Sequence, residues 1–157
     1  MDSEILTLGV FGRNETEWKQ VILRERPDVF IDTRARRGVR GAQYAFVNSK
    51  RLQSWLREMG IHYEHWIDLA PSPETRAQQH SADQRTGTAK RARKALSNEF
   101  REAYQNQVQP SLQERSADLD AYERPILFCV EQSASACHRS LAAAYFEGEL
   151  GRTVRHL

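Results

Sequence analysis

The chain has 157 residues, 39% of them hydrophobic and 28% charged, and a formal net charge of +2. These values are typical of a globular protein and predict a single domain over residues 1–157. No apolar run reaches the roughly 18 residues that span a membrane, and the N-terminus lacks an export-signal pattern, so we expect a cytoplasmic protein without a membrane segment. The two cysteines are then expected to be reduced thiols rather than a disulfide.

The first half of the chain predicts strands that alternate with helices. Residues 5–10 form an apolar first strand, and Asn14 is a good N-cap for a helix that ends before Pro27. Val29–Asp32 predicts a short buried strand. Apolar residues spaced i, i+3, i+4 and i+7 between Leu52 and Met59 predict a helix, and the alternating residues 61–67 predict a strand with one exposed face.

The second half continues this alternation after an irregular segment. Residues 74–87 show no periodicity, which predicts an exposed insertion. A helix over residues 88–108 is expected to break at Pro110, and a polar helix covers residues 111–122. An apolar strand at 126–130, a helix at 140–150 and a strand at 153–157 follow. The pattern predicts a single three-layer α/β/α domain with a mostly parallel sheet of about five strands and helices on both faces.

Reactive side chains are concentrated directly after the apolar strand at 126–130. Glu131 ends this strand, and Cys137-His138-Arg139-Ser140 opens the next helix, where ligands bind in open α/β sheets. Glu131 is a candidate general acid or base, although a helix-capping carboxylate or a partner of Arg139 would give the same pattern. Cys137 is a candidate nucleophile because a helix N-terminus, His138 and Arg139 lower a thiol pKa. The alternative is a small buried residue that packs the turn.

A second group of polar side chains follows the strand at 29–32. Asp32 and Arg34 lie two residues apart on an extended chain, so both side chains point the same way and can share a pocket. Arg36, Arg37 and Arg40 extend this segment into a basic loop that suits phosphate or nucleic acid, unless it is only a solvated surface loop. A second basic cluster is formed by Lys90, Arg91, Arg93 and Lys94.

A third strand end carries Tyr63 and His65 on one face. His65 is a candidate acid–base partner of Glu131, with a simple hydrogen-bonded strand histidine as the alternative. A metal site of Cys129, Cys137 and His138 with His65 or His156 is the less favoured interpretation, because the chain has no CxxC or HxxxH pair. We therefore expect neither a metal nor a cofactor.

Several short motifs, taken in order, resemble those of the DUF488 family. They are Thr7-Leu8-Gly9, Asp32-Thr33-Arg34, Gly60-Ile61-His62-Tyr63-Glu64-His65, Leu96-Ser97-Asn98-Glu99-Phe100, Cys129-Val130-Glu131, Cys137-His138-Arg139-Ser140 and Val154-Arg155-His156-Leu157. Thr33 departs from the usual valine, and Leu69-Ala70-Pro71 stands where many members have Leu-Gly-Gly. The resemblance implies the fold and the location of the site, but the family lacks a settled activity.

These observations together predict an enzyme that acts on a nucleotide or nucleic acid, hydrolytic in type, at an N-glycosidic or phosphoester bond. Glu131 or Asp32 would be the general base, and His65 or His138 the acid. The expected substrate-binding residues are Arg34, Arg36, Arg37, Tyr63, Arg139 and Ser140. Two alternatives remain: a thiol enzyme in which Cys137 attacks, and a non-catalytic module that binds a nucleotide or nucleic acid.

Overall fold

The computed structural model of the chain describes residues 3–88 and 94–157. Its centre is a sheet of five strands in the order β3-β2-β4-β1-β5. Every neighbouring pair of strands in this sheet is parallel. The strands are β1 (Glu4–Leu8), β2 (Val29–Asp32), β3 (His62–His65), β4 (Pro125–Phe128) and β5 (Thr153–His156). The predicted α/β fold with a parallel sheet is confirmed.

The helices cover both faces of the sheet. They are α1 (Glu15–Glu25), α2 (Ser49–Glu58), α3 (Pro73–Thr86), α4 (Asn98–Asp120) and α5 (His138–Leu150). Trp18 of α1 and Leu56 of α2 belong to one apolar core. Tyr104 of α4 and Phe146 of α5 belong to the other, so the sheet is the middle of three layers. No helix within residues 3–88 and 94–157 is long and apolar enough to cross a membrane.

The strands β2, up to its last residue Asp32, and β4 are apolar because both of their faces are covered. In β2, Phe30 joins the core on the side of α1 and α2, and Ile31 joins the core on the side of α4 and α5. Ile126 and Leu127 divide in the same way in β4. All four residues of each strand are buried, which explains why the sequence shows continuous apolar runs here instead of alternation.

Helix α3 corrects the prediction of an exposed insertion at residues 74–87. Ser72 caps it by accepting a hydrogen bond from the Thr75 amide, and Gly87 ends it in the left-handed conformation. The residues that α3 buries are polar: Gln79 accepts from the Ser97 amide at 2.7 Å, and Thr75 binds Gln107. A helix that packs through hydrogen bonds leaves no apolar periodicity in the sequence, which is why the prediction was wrong.

Helix α4 corrects two further expectations. It is continuous through Pro110, where a break was predicted, because buried Val108, Leu112 and Leu119 form one apolar stripe on both sides of the proline. Tertiary packing of that stripe outweighs the lost backbone hydrogen bond. The helix starts after its N-cap Ser97 rather than at residue 88. The intervening residues 89–93, with most of the second basic cluster, lie outside the described residues.

The connections of the sheet diverge between β2 and β4. After β2 the chain continues to the edge strand β3, whereas after β4 it crosses β1 to the opposite edge at β5. Loops that leave adjacent carboxyl ends in opposite directions open a crevice, the usual ligand position in parallel sheets. The segments that follow β2 and β4 therefore face each other at one end of the sheet.

Candidate functional site

A cavity of about 900 Å³ lies at the carboxyl ends of β2 and β4. Phe11 and four segments of the chain contribute its lining: residues 34–40 after β2, residues 71–88 around α3, residues 96–100 at the start of α4, and residues 129–138 after β4. The apolar part of the lining includes Phe11 and Phe100. Its polar groups are the candidates for chemistry, and they come from both strand ends that the sequence singled out.

Cys129, Cys137 and His138 form a compact group in the cavity wall. Both sulfur atoms lie 3.8 Å from the Nδ1 atom of His138, and the three reactive atoms are all within 4.8 Å of one another. The other ring nitrogen, Nε2, is 3.0 Å from the carbonyl oxygen of Thr33 and 3.1 Å from its hydroxyl. A carbonyl can only accept, so Nε2 carries a proton and Nδ1 faces the two sulfurs.

The two thiols differ in acidity because they are neighbours. Burial opposes ionisation of Cys137, but the Cys129 thiol, His138 and Arg139 together hold the pKa of Cys137 well below its ordinary value. The adjacent Cys137 and burial both raise the pKa of Cys129 well above its ordinary value. The arrangement thus favours a single thiolate, on Cys137.

Arg34 and Asp32 form a buried ion pair behind the cavity. The carboxylate of Asp32 accepts hydrogen bonds from Nε and Nη2 of Arg34, each at 2.8 Å, and from the hydroxyl of Tyr63 at 2.8 Å. The same Nη2 also donates to the carbonyl of Val47 at 2.9 Å. Asp32 is fully buried and surrounded by donors, so it holds Arg34 in place. This geometry does not present its carboxylate to a substrate.

The remaining nitrogen of Arg34 is the unusual feature of this pair. Nη1 is buried and has no hydrogen-bond partner within the part of the chain that the structure describes. Arg34 lines the cavity and is only 4% exposed. A buried donor left unpaired costs about 1–3 kcal/mol, so an acceptor that reached this atom would be favoured.

Glu131 lines the same cavity and is also buried. Its backbone is fixed from two sides: Nη1 of Arg139 donates to its carbonyl oxygen at 2.7 Å, and Gly9 packs against the same carbonyl. A Cβ atom at Gly9 would lie 2.0 Å from that oxygen, so only glycine allows this approach. Arg139 was expected to bind substrate, but its guanidinium holds the Glu131 segment and is not part of the cavity lining.

The other predicted residues divide between the cavity and its surroundings. Arg36 and Arg40 are exposed residues of the lining, whereas Arg37 is not part of it. Tyr63 binds Asp32, and burial raises its pKa to about 12, with Asp32 adding to the shift. His65 binds the carbonyl of Arg34 through Nε2 at 2.7 Å. Tyr63, His65 and Ser140 are not lining residues, and the Ser140 hydroxyl donates to the carbonyl of Cys137.

Two features of the site were not found from the sequence. Thr33, noted only as a departure from valine, orients His138, and its hydroxyl also binds the carbonyl of Phe128. Helix α3 contributes Arg76 and His80 to the lining. The N-cap Ser72, the proline after it and Gly87 were the sequence signals that could have revealed this helix.

Comparison with known proteins gives a family and no nearer relative. The model of the family described as domain of unknown function DUF488 matches residues 24–146. No curated protein and no solved structure matches the chain. The matched range contains Arg34, Cys129, Glu131, Cys137 and His138, so the main polar groups of the cavity all lie within it.

Proposed function

The chain belongs to the DUF488 family, whose description assigns no reaction, and we propose from the site that it is a hydrolase of a phosphate-bearing substrate, a nucleotide or a nucleic acid. The observation that carries this proposal is that buried Arg34, with its unpaired Nη1, and buried Glu131 line one cavity. A cytoplasmic location, where thiols stay reduced, is part of the same proposal.

Phosphate binding is supported by three arginines of the lining. Asp32 holds Arg34 in one orientation, so the unpaired Nη1 donor has a fixed position before any ligand binds. Guanidinium groups match phosphate oxygens in shape and charge, and a prepositioned donor loses little conformational entropy on binding. The exposed Arg36 and Arg40 add positive charge at the mouth of the cavity. These two residues attract a polyanion, whereas Arg34 fixes one phosphate.

Proton transfer is assigned to Glu131. Of the two carboxylates predicted as bases, Asp32 already accepts from Arg34 and Tyr63 and does not line the cavity, whereas Glu131 does. Glu131 takes a proton from the attacking water and returns it to the leaving group. An N-glycosidic and a phosphoester bond both suit this chemistry, and a chemical panel must decide between them.

A panel of nucleosides, nucleotides and oligonucleotides tests the proposal, with chromatography to detect released base, phosphate or shortened strands. Glu131→Gln should lower turnover by at least about 100-fold and leave binding intact, because it removes proton transfer and not the phosphate contacts. Glu99→Gln, on an exposed side chain, is the matched control and should change neither. Equal turnover by Glu131→Gln and the wild type would refute the assignment.

A thiol mechanism is the second candidate, and the lowered pKa of Cys137 in the cavity wall favours it. A nucleophilic Cys137 requires that Cys137→Ser lose activity while Cys129→Ser retains most of it. If Cys137→Ser stays active and Glu131→Gln does not, this mechanism is excluded. Salt-sensitive binding that Arg36→Ala weakens, with no turnover of any substrate, would instead indicate a binding module.

A further inference from the structure

Two cysteines and one histidine converge on a single point in the cavity wall, although they come from different elements. Cys129 follows β4, and Cys137 and His138 form the N-terminus of α5. Each sulfur is 3.8 Å from Nδ1 of His138. As hydrogen bonds these contacts are long, and one imidazole nitrogen can accept from only one thiol at a time.

We infer that Cys129, Cys137 and His138 form a zinc site with two sulfur ligands and one nitrogen ligand. Tetrahedral zinc with Zn–S bonds of about 2.3 Å and a Zn–N bond of about 2.0 Å places sulfur and nitrogen about 3.5 Å apart. The two observed separations of 3.8 Å are close to that value, and the third pair of atoms lies within 4.8 Å.

The surroundings of His138 are those of a metal-binding histidine. Ligating imidazoles usually donate their second N–H to a carboxylate or backbone carbonyl, which fixes the ring and makes the ligating nitrogen more basic. Nε2 of His138 donates to the carbonyl of Thr33, and the Tyr104 ring lies against the imidazole at 5.7 Å between centroids. The lone pair of Nδ1 therefore faces the two sulfurs.

The fourth position of this zinc opens to the cavity. All three ligands are lining residues, and none of the other described His, Cys, Asp or Glu side chains joins their cluster. Three protein ligands with one open position are typical of catalytic zinc, whereas structural zinc is closed by four. Glu131 lies two residues beyond Cys129 in the same lining, outside the cluster. As a carboxylate of the same cavity, Glu131 is the candidate base for a metal-bound water.

The catalytic use of the zinc rests on the proposed hydrolase function, whereas zinc binding does not. A water in the open position gives one proton to Glu131, and the hydroxide bonds to the electrophilic carbon or phosphorus of the substrate. The bond to the leaving group breaks with its electron pair, and Glu131 returns the proton to that group. Neither an oxidant nor a reductant is required.

The experiment measures zinc in the intact reduced protein after purification from zinc-supplemented cells. We expect about one zinc per chain, and we expect cobalt substitution to give the sulfur-to-metal absorption and intense visible bands of a tetrahedral site. Cys129→Ser, Cys137→Ser and His138→Gln should each weaken zinc binding by more than the roughly 10–100-fold that loss of an outer partner causes. Circular dichroism checks that each variant is folded, and His62→Gln, on an exposed histidine, is the control.

If a variant fails to fold, measurements on the wild-type protein alone still test whether it binds zinc. Chelation should lower its melting temperature, and added zinc should restore it. The absence of saturable zinc binding by the reduced wild-type protein would overturn the inference. So would zinc that is retained equally by the three ligand variants and His62→Gln.

The two proposals fail in different ways. If hydrolysis is lost in Glu131→Gln but the protein never binds zinc, the proposed function is supported and the zinc site is refuted. If the protein binds about one zinc through these ligands but hydrolyses no member of the panel, the zinc site is supported and the proposed function is refuted.

Discussion

Replacing Asp32 by asparagine removes the only negative charge shown to pair with buried Arg34 in the described part of the chain. The substitution also replaces one carboxylate oxygen by an amide donor. This donor then faces either Nη2 of Arg34 and the Tyr63 hydroxyl, or Nε of Arg34, all of which donate to the carboxylate in the wild type. Loss of one partner of a buried ion pair costs about 3–5 kcal/mol. At about 2–4 °C per kcal/mol for a domain of this size, Asp32→Asn should melt about 6–20 °C below the wild type.

Urea unfolding followed by circular dichroism measures the free energy directly. Glu15→Gln breaks the pair between Glu15 and the exposed Arg51, so it should change the free energy of unfolding by less than about 1 kcal/mol. The double variant Asp32→Asn/Arg34→Met should be more stable than Asp32→Asn, because it no longer buries an unpaired charge. A single variant within about 1 kcal/mol of the wild type would refute the ion-pair interpretation, as would a double variant with no recovery.

Three further predictions concern the segment beside Glu131 and two ionisable groups. Gly9→Ala should lower stability by about 1–3 kcal/mol and reduce any Glu131-dependent activity, because the new methyl group overlaps the Glu131 carbonyl; urea unfolding and the substrate panel check this. The hydrogen bond from Arg155 lowers the pKa of Glu25 from 4.5 to about 2, so stability that is present above pH 4.5 should be lost as the pH falls towards 2. Urea unfolding of Glu25→Gln across this range should show a flatter pH dependence. The pKa of Tyr63, raised from 10 to about 12, should make stability decrease as the pH rises from 10 to 12, and a series with Tyr63→Phe that shows the same decrease would contradict the assignment.

The elements that the sequence predicted well are those with local causes. Asn14 accepts a hydrogen bond from the Glu17 amide, and the predicted helix begins beside it. The strands β2 and β4 coincide with apolar runs because both faces are buried. Helix α3 and the continuity of α4 depend instead on partners distant in the chain, such as the Gln79 contact with Ser97, and no local pattern reports these.

The location of the site was predictable, but its internal contacts were not. Carboxyl ends of parallel strands meet at one edge of a sheet, so Arg34, Glu131 and Cys137 were expected to converge, and they do line one cavity. The contact between Thr33 and His138 spans 105 positions, and their motifs carry no sign of it. Cys129 lies at the end of an apolar run, which in the sequence is typical of a core residue, yet it contributes to the cavity lining.

The order of the strands has a consequence for synthesis on the ribosome. β4 lies between β1 and β2 in the sheet, but it is made long after both of them. Until residue 128 leaves the exit tunnel, the edges of β1 and β2 that pair with β4 in the finished sheet are open to other chains. Insertion of β4 closes these edges and brings Cys129 beside the loop that follows β2. The segment to His138 and strand β5 follow, so the sheet and the cavity are both completed late in synthesis.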